Sequence, residues 1–134
     1  MAGARPSELE LQVLSVLWER GPAPVRAVLE ALPDGKDRAY TTVLSVMQVM
    51  EKKGLIGHTQ QGQTHIYHPL VKQGQVLRPM MRDLVRNVFG GSPARALQAL
   101  LDGTKLDADE LGQIRQLIAD AERKAAPKTK EDAR

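Results

Sequence analysis

The side chains best equipped for chemistry in this chain are His58, His65 and His68, which fall within one short stretch. Imidazoles so placed can ligate a metal, or can titrate near pH ~6 and add positive charge. On an extended segment, however, His65 and His68 lie an odd number of positions apart and point to opposite faces. A metal site is therefore not expected, and phosphate contact or plain surface placement are the two remaining uses. Ser45 has no base beside it in sequence, no glycine-rich phosphate loop occurs, and the carboxylates read as helix caps and helix-surface charges. The absence of cysteine removes disulfides, thiolate metal sites and thiol nucleophiles together. No cofactor signature remains, and an enzyme is not expected.

Recognition is the chemistry the sequence does offer, on a helix running from about Tyr40 to Lys53. At ~100° per residue, Val43, Val46, Met47 and Met50 cluster on one side. Thr41, Ser45, Gln48 and Lys52 fall on the other, flanked by Thr42 and Lys53. Short side chains let a helix backbone sink into a DNA major groove, and hydroxyls and amides bond base edges or phosphates. An ordinary solvated helix face is the bland reading of the same pattern. Leu44 and Val49 lie near the outer face with no evident core to enter, fit either for thymine methyls or for nothing beyond surface. The net charge of +3 invites a nucleic-acid reading, but residues 1–70 carry seven Lys/Arg and seven Asp/Glu. The whole excess lies in residues 71–134, with twelve against nine. DNA binding by the first half must rest on locally placed groups, not on a net field.

The elements that position this helix are readable in order. Ser7 and Glu10 form a capping box ahead of Leu9, Val13, Leu14, Val16, Leu17 and Trp18, and Gly21-Pro22 stops that helix. Pro24 opens a second helix with Val25, Val28, Leu29 and Leu32 as its apolar stripe, and Pro33-Asp34-Gly35-Lys36 is a turn. Gly54 suits the left-handed cap that ends the third helix. Leu55–Gln60 and Thr64–His68 are extended runs around Gln61-Gly62-Gln63, hence a hairpin closed by Pro69. The predicted fold is mainly α with a small β-hairpin: a winged helix-turn-helix domain over 1–70, a helical dimerisation region over 71–125, and a disordered polar tail over 126–134.

In the second half, Val71–Phe89 is periodic but must kink or break at Pro79. Ser92-Pro93 starts a helix reaching Leu101, and Asp107 to Glu110 is a second capping box. Leu84, Val88, Phe89, Leu97, Leu100, Leu101, Leu111, Ile114, Leu117 and Ile118 offer more apolar surface than a short helical arm can bury alone, which predicts a homodimer. No run is long and apolar enough for membrane insertion, and Met1–Arg5 lacks a signal-peptide core, so the cytosol is the expected compartment.

The chain resembles the BlaI/MecI/CopY repressors of bacteria over roughly residues 7–122. The resemblance is carried by Ser7-Glu8-Leu9-Glu10, Leu17-Trp18, Val25-Arg26-Ala27-Val28, Ala39–Met47, Lys52–Ile56, Tyr67 with Pro69, and Val88–Ser92. It implies a repressor that binds a palindromic operator in double-stranded DNA as a homodimer, with base contacts mapping onto Thr41, Thr42, Leu44 and Ser45. Arg38 and Tyr40 before and at the helix start, Gln48 and Lys52 along it, and Gln63 and His65 on the hairpin complete the expected DNA contacts. Relatives paired with a membrane sensor protease are cleaved in the helix after the Gly-Gly link, which matches Gln98 and Ala99. The sequence departs from the family at Gln48-Val49, where an arginine is common, and at Gln60, Gln61 and Gln63, where basic wing residues are usual. The copper-responsive branch carries a C-terminal cysteine motif that is absent here. The competing function is a winged-helix module that binds another protein through the same neutral surface.

Overall fold

Ser7 starts the first helix as its spacing to Glu10 requires. In the computed structural model, which describes residues 5–132 with side chains through Ala125, α1 spans Glu8–Arg20 and carries both halves of the capping box. The Glu10 amide donates to Ser7 Oγ at 3.2 Å, and the Ser7 amide donates to Glu10 Oε1 at 2.9 Å. Gly21, at φ 89°, ends the helix. Pro24 caps α2, Val25–Ala31, and a short 3-10 turn at Gly35–Asp37 leads into α3, Tyr40–Lys52.

Gly35 is buried in that turn, and a Cβ there would sit 2.0 Å from the Leu29 carbonyl oxygen. Only glycine fits this approach of two backbones. Gly54 follows α3 at φ 83°, the left-handed conformation expected of it.

β1 (Ile56–Gln61) and β2 (Thr64–Pro69) pair antiparallel with Gln61 opposite Thr64, leaving Gly62-Gln63 as the turn. Gly62 has φ 61°, the positive value such a two-residue hairpin turn demands. A third short pairing is not apparent from sequence. Ala23 N–H donates to Tyr67 O at 2.9 Å and Tyr67 N–H to Ala23 O at 2.8 Å, tying the hairpin to the start of α2.

The core is one cluster: Val13, Leu14, Val16 and Leu17 of α1, Val25 and Val28 of α2, Leu32, Val43, Met47 and Met50 of α3, Ile56 and Tyr67. Burying each of the large ones fully is worth about 1.5–3 kcal/mol, enough to fix α3 against α1 and α2. Trp18 lies at the edge, its Nε1–H donating to the Val71 carbonyl at 2.9 Å. That bond, with Val71 packed on the core, carries the winged unit past residue 70. The chain divides into compact units at Arg82/Asp83, inside α4.

α4, Gln73–Val88, runs through Pro79 as a single helix despite the missing amide. α5 (Pro93–Gly103) is capped by Ser92, whose Oγ accepts the Arg95 amide at 3.2 Å. α6 is Ala108–Asp132, with the Glu110 amide on Asp107 Oδ1 at 2.8 Å. The disordered tail expected over 126–134 falls on positions outside those described with side chains. No helix among the described residues is long and apolar enough to cross a membrane.

Candidate nucleic-acid interface

α3 divides as its period dictates. Val43, Met47 and Met50 are wholly buried, while Thr41, Thr42, Ser45, Gln48 and Lys52 are exposed. Ala39 caps the helix without a side-chain hydrogen bond, so no side chain covers the first-turn amides beside Thr41 and Thr42. Val49 is 46 % exposed and belongs to the outer surface. Leu44 departs from expectation. It is half-buried, packed against the core cluster.

Two cations flank the helix start. Arg38 makes a two-pronged ion pair with Asp34, Nε to Oδ1 and Nη2 to Oδ2, each at 2.9 Å. The pairing holds the Asp34 carboxyl below its ordinary value and pushes the Arg38 guanidinium up. Arg38 is thus engaged by its own turn. Arg26, on α2, lies 5.0 Å above the Tyr40 ring, a cation–π arrangement; among the described residues no carboxylate pairs with it. Sequence reading passes over Arg26, since an exposed arginine on a short helix looks like ordinary surface. Its place in Val25-Arg26-Ala27-Val28 marks the family resemblance but assigns it no contact, and the ring of Tyr40 in the next helix is seen only in the structure.

At the other end of α3, Lys53 Nζ reaches Glu10 Oε2 at 2.8 Å. Burial opposes ionisation of Glu10, yet the hydrogen bonds from Lys53 and from the Ser7 amide outweigh it and keep the carboxyl below its usual value. One carboxylate therefore caps α1 and anchors the end of α3.

On the hairpin, register puts His58, Gln60, His65 and Tyr67 on one face and His68 on the other. The His58 and His65 rings stack at 4.2 Å between centroids, and His58 Nδ1 lies 2.7 Å from Glu51 Oε2. Tyr67 is buried beneath them, and burial together with the charge of Glu51 pushes its phenol up. Gln63 and His65 are exposed. Among the described residues no group of His, Cys, Asp or Glu is placed to hold a metal ion. Between hairpin, α2 and the start of α3 lies a cleft of about 440 Å³, lined by Pro24, Val25, Arg26, Tyr40, Leu44, Gln63, Thr64, His65 and Tyr67.

The second unit leaves its apolar residues uncovered. Leu84, Val88, Leu100, Leu117 and Ile118 are exposed, while Phe89, Leu97, Leu101, Leu111 and Ile114 are half-buried. Gln98 and Ala99 are exposed within α5, where Gln98 Nε2 donates to Asp102 Oδ1 at 3.0 Å.

Residues 6–120 match the family model described as the penicillinase repressor. A transcriptional regulator BlaI of Mycobacterium tuberculosis is 34 % identical over 120 residues, covering 88 % of this chain and 86 % of the relative. The penicillinase repressor of Bacillus licheniformis is 19 % identical over 84 % of this chain and 88 % of its own. The methicillin resistance regulatory protein MecI of Staphylococcus aureus is 20 % identical, with 84 % and 91 % covered. Family match and helix-hairpin architecture agree: the chain belongs to the penicillinase repressor family, whose members are DNA-binding transcriptional repressors and not enzymes.

Proposed function

We propose that the chain is a cytosolic, sequence-specific repressor that binds a palindromic operator as a homodimer, with α3 lying in the major groove. The observation carrying this reading is the exposed run of short polar side chains on α3, Thr41, Thr42, Ser45 and Gln48, backed by fully buried Val43 and Met47. A rigid helix with a low-profile donor and acceptor face is what groove entry needs. Ser45→Glu sets a carboxylate against the duplex while leaving the buried face intact. In a gel shift on the chain's own upstream region it should lower specific affinity by at least about tenfold, one lost base contact or more. Undiminished binding by the folded variant would remove α3 from the interface and favour the protein-binding alternative.

The dimer rests on the uncovered apolar residues of α4, α5 and α6. No residue of α4 or α5 is buried, so these faces need a partner, and a second copy supplies it symmetrically. The two reading helices would then sit about 34 Å apart, one DNA turn, or a multiple of it. Sedimentation showing only monomer at micromolar concentration would contradict this. In this reading, cutting at Gln98–Ala99 by a membrane-linked sensor protease relieves repression by detaching α6. Because that bond lies in a helix, the cut requires α5 to open locally first.

A further inference from the structure

Arg26 has no part in the contacts expected of α3 and the hairpin, although the cleft it borders is also lined by Tyr40, Leu44, Gln63 and His65, which are among them. We propose that this cleft is a seat for one DNA backbone phosphate, gripped by the Arg26 guanidinium; the proposal rests on the reading of the chain as a DNA-binding protein. The walls are built for an anion. Arg26 is exposed, has its guanidinium carbon over the Tyr40 ring at 5.0 Å from the centroid, and pairs with no carboxylate among the described residues. Thr64, Gln63 and His65 face it from the hairpin with hydrogen-bonding groups, Leu44 contributes apolar surface, and among the described residues no acidic one lines the space.

The contrast with Arg38 is informative. That guanidinium is paired with Asp34 at 2.9 Å, whereas Arg26 has no ion-pair partner among the described residues. Stacking on an aromatic face leaves the planar fork free to meet two oxygens of one phosphate, a geometry lysine cannot copy.

The two walls are also fixed before any ligand arrives. The Ala23–Tyr67 backbone pair, at 2.8 and 2.9 Å, locks the root of the hairpin to the residues preceding Arg26. A phosphate held there would set the depth and angle at which α3, beginning at Tyr40, enters the groove. In a first half with no net charge, such a local cation carries a large share of the electrostatic attraction.

The test measures the affinity of the full chain for a mixed-sequence duplex and for its own upstream region, from low to high salt. Losing one phosphate contact should flatten the plot of log K against log salt by about 0.9, which at ~0.1 M is about an eightfold loss. Arg26→Gln should show this loss on both duplexes, and Arg26→Lys should keep the slope while binding more weakly. Thr64→Asp, an exposed hairpin position, should weaken binding by placing a carboxylate beside Arg26. Arg20→Gln, the same charge change on α1 away from the cleft, should leave the slope unaltered. If Arg26→Gln and Thr64→Asp bind like wild type while Ser45→Glu abolishes specific binding, the phosphate seat is wrong and the DNA reading stands. Equal losses from Arg26→Gln and Arg20→Gln would reduce the effect to net charge and overturn the proposal. A wild-type chain that binds neither duplex at low salt would overturn both.

Discussion

Glu10→Gln isolates the ion pair that fastens the end of α3 to α1. The substitution keeps the side chain's size and the oxygen that accepts the Ser7 amide, but removes the charge facing Lys53 Nζ at 2.8 Å. A charge-assisted hydrogen bond contributes about 1.5–3 kcal/mol. The Lys53 side chain is 42 % exposed, so screening brings the expected loss down to about 1 kcal/mol. Trp18 is the only tryptophan and is bonded to Val71 within the winged unit, so its fluorescence reports unfolding of that unit directly. With a urea slope of about 1–3 kcal/mol per molar, the midpoint should fall by about 0.3–1 M at pH ~7. The pH dependence gives the sharper test. The folded-state pKa of Glu10 is lowered, so its contribution is complete above the unfolded value near pH ~4.5 and is lost as pH falls through the lower, folded value. The gap between wild type and Glu10→Gln should stay constant across neutral pH and close at acid pH. A gap of the same size at pH ~3 and pH ~7 would refute the pair as its source.

Gly35→Ala should cost about 3 kcal/mol or more, since its Cβ meets the Leu29 carbonyl oxygen at 2.0 Å; a Trp18-monitored melt close to wild type would show that the turn relaxes cheaply. Met47→Ala, at a site with no exposure, should lower stability by about 2–5 kcal/mol and weaken operator binding through looser seating of α3. A chain truncated after Gln98 should retain the winged unit's Trp18 signal yet bind a two-half-site operator about a hundredfold or more weaker, the usual scale of lost linkage between two heads. Wild-type affinity in that truncation would show that dimerisation does not control binding.

What was legible in the sequence was local in the chain. Ser7 and Glu10 announce α1 because a capping box closes within one turn, and Gln61-Gly62-Gln63 between two extended runs announces the hairpin, whose turn the structure narrows to Gly62-Gln63. The buried face of α3 follows from its period alone. What escaped depended on residues far apart. The Ala23–Tyr67 pairing is a single bridge with no strand-like run around Ala23, so no pattern precedes it. Leu44 has no evident core on a helical wheel, because the cluster it packs against is assembled from separate elements of the chain. Glu10 was legible as a cap but not as the partner of Lys53, forty-three positions away. Each of these omissions joins residues far apart in the chain. The bridge ties the hairpin to the residues just before α2, and the cleft in which Arg26 stands over Tyr40 lies between these elements. The outer face of α3 can be drawn on a helical wheel, but the cleft beside it cannot, because its walls come from α2, α3 and β2, whose residues lie far apart in the chain.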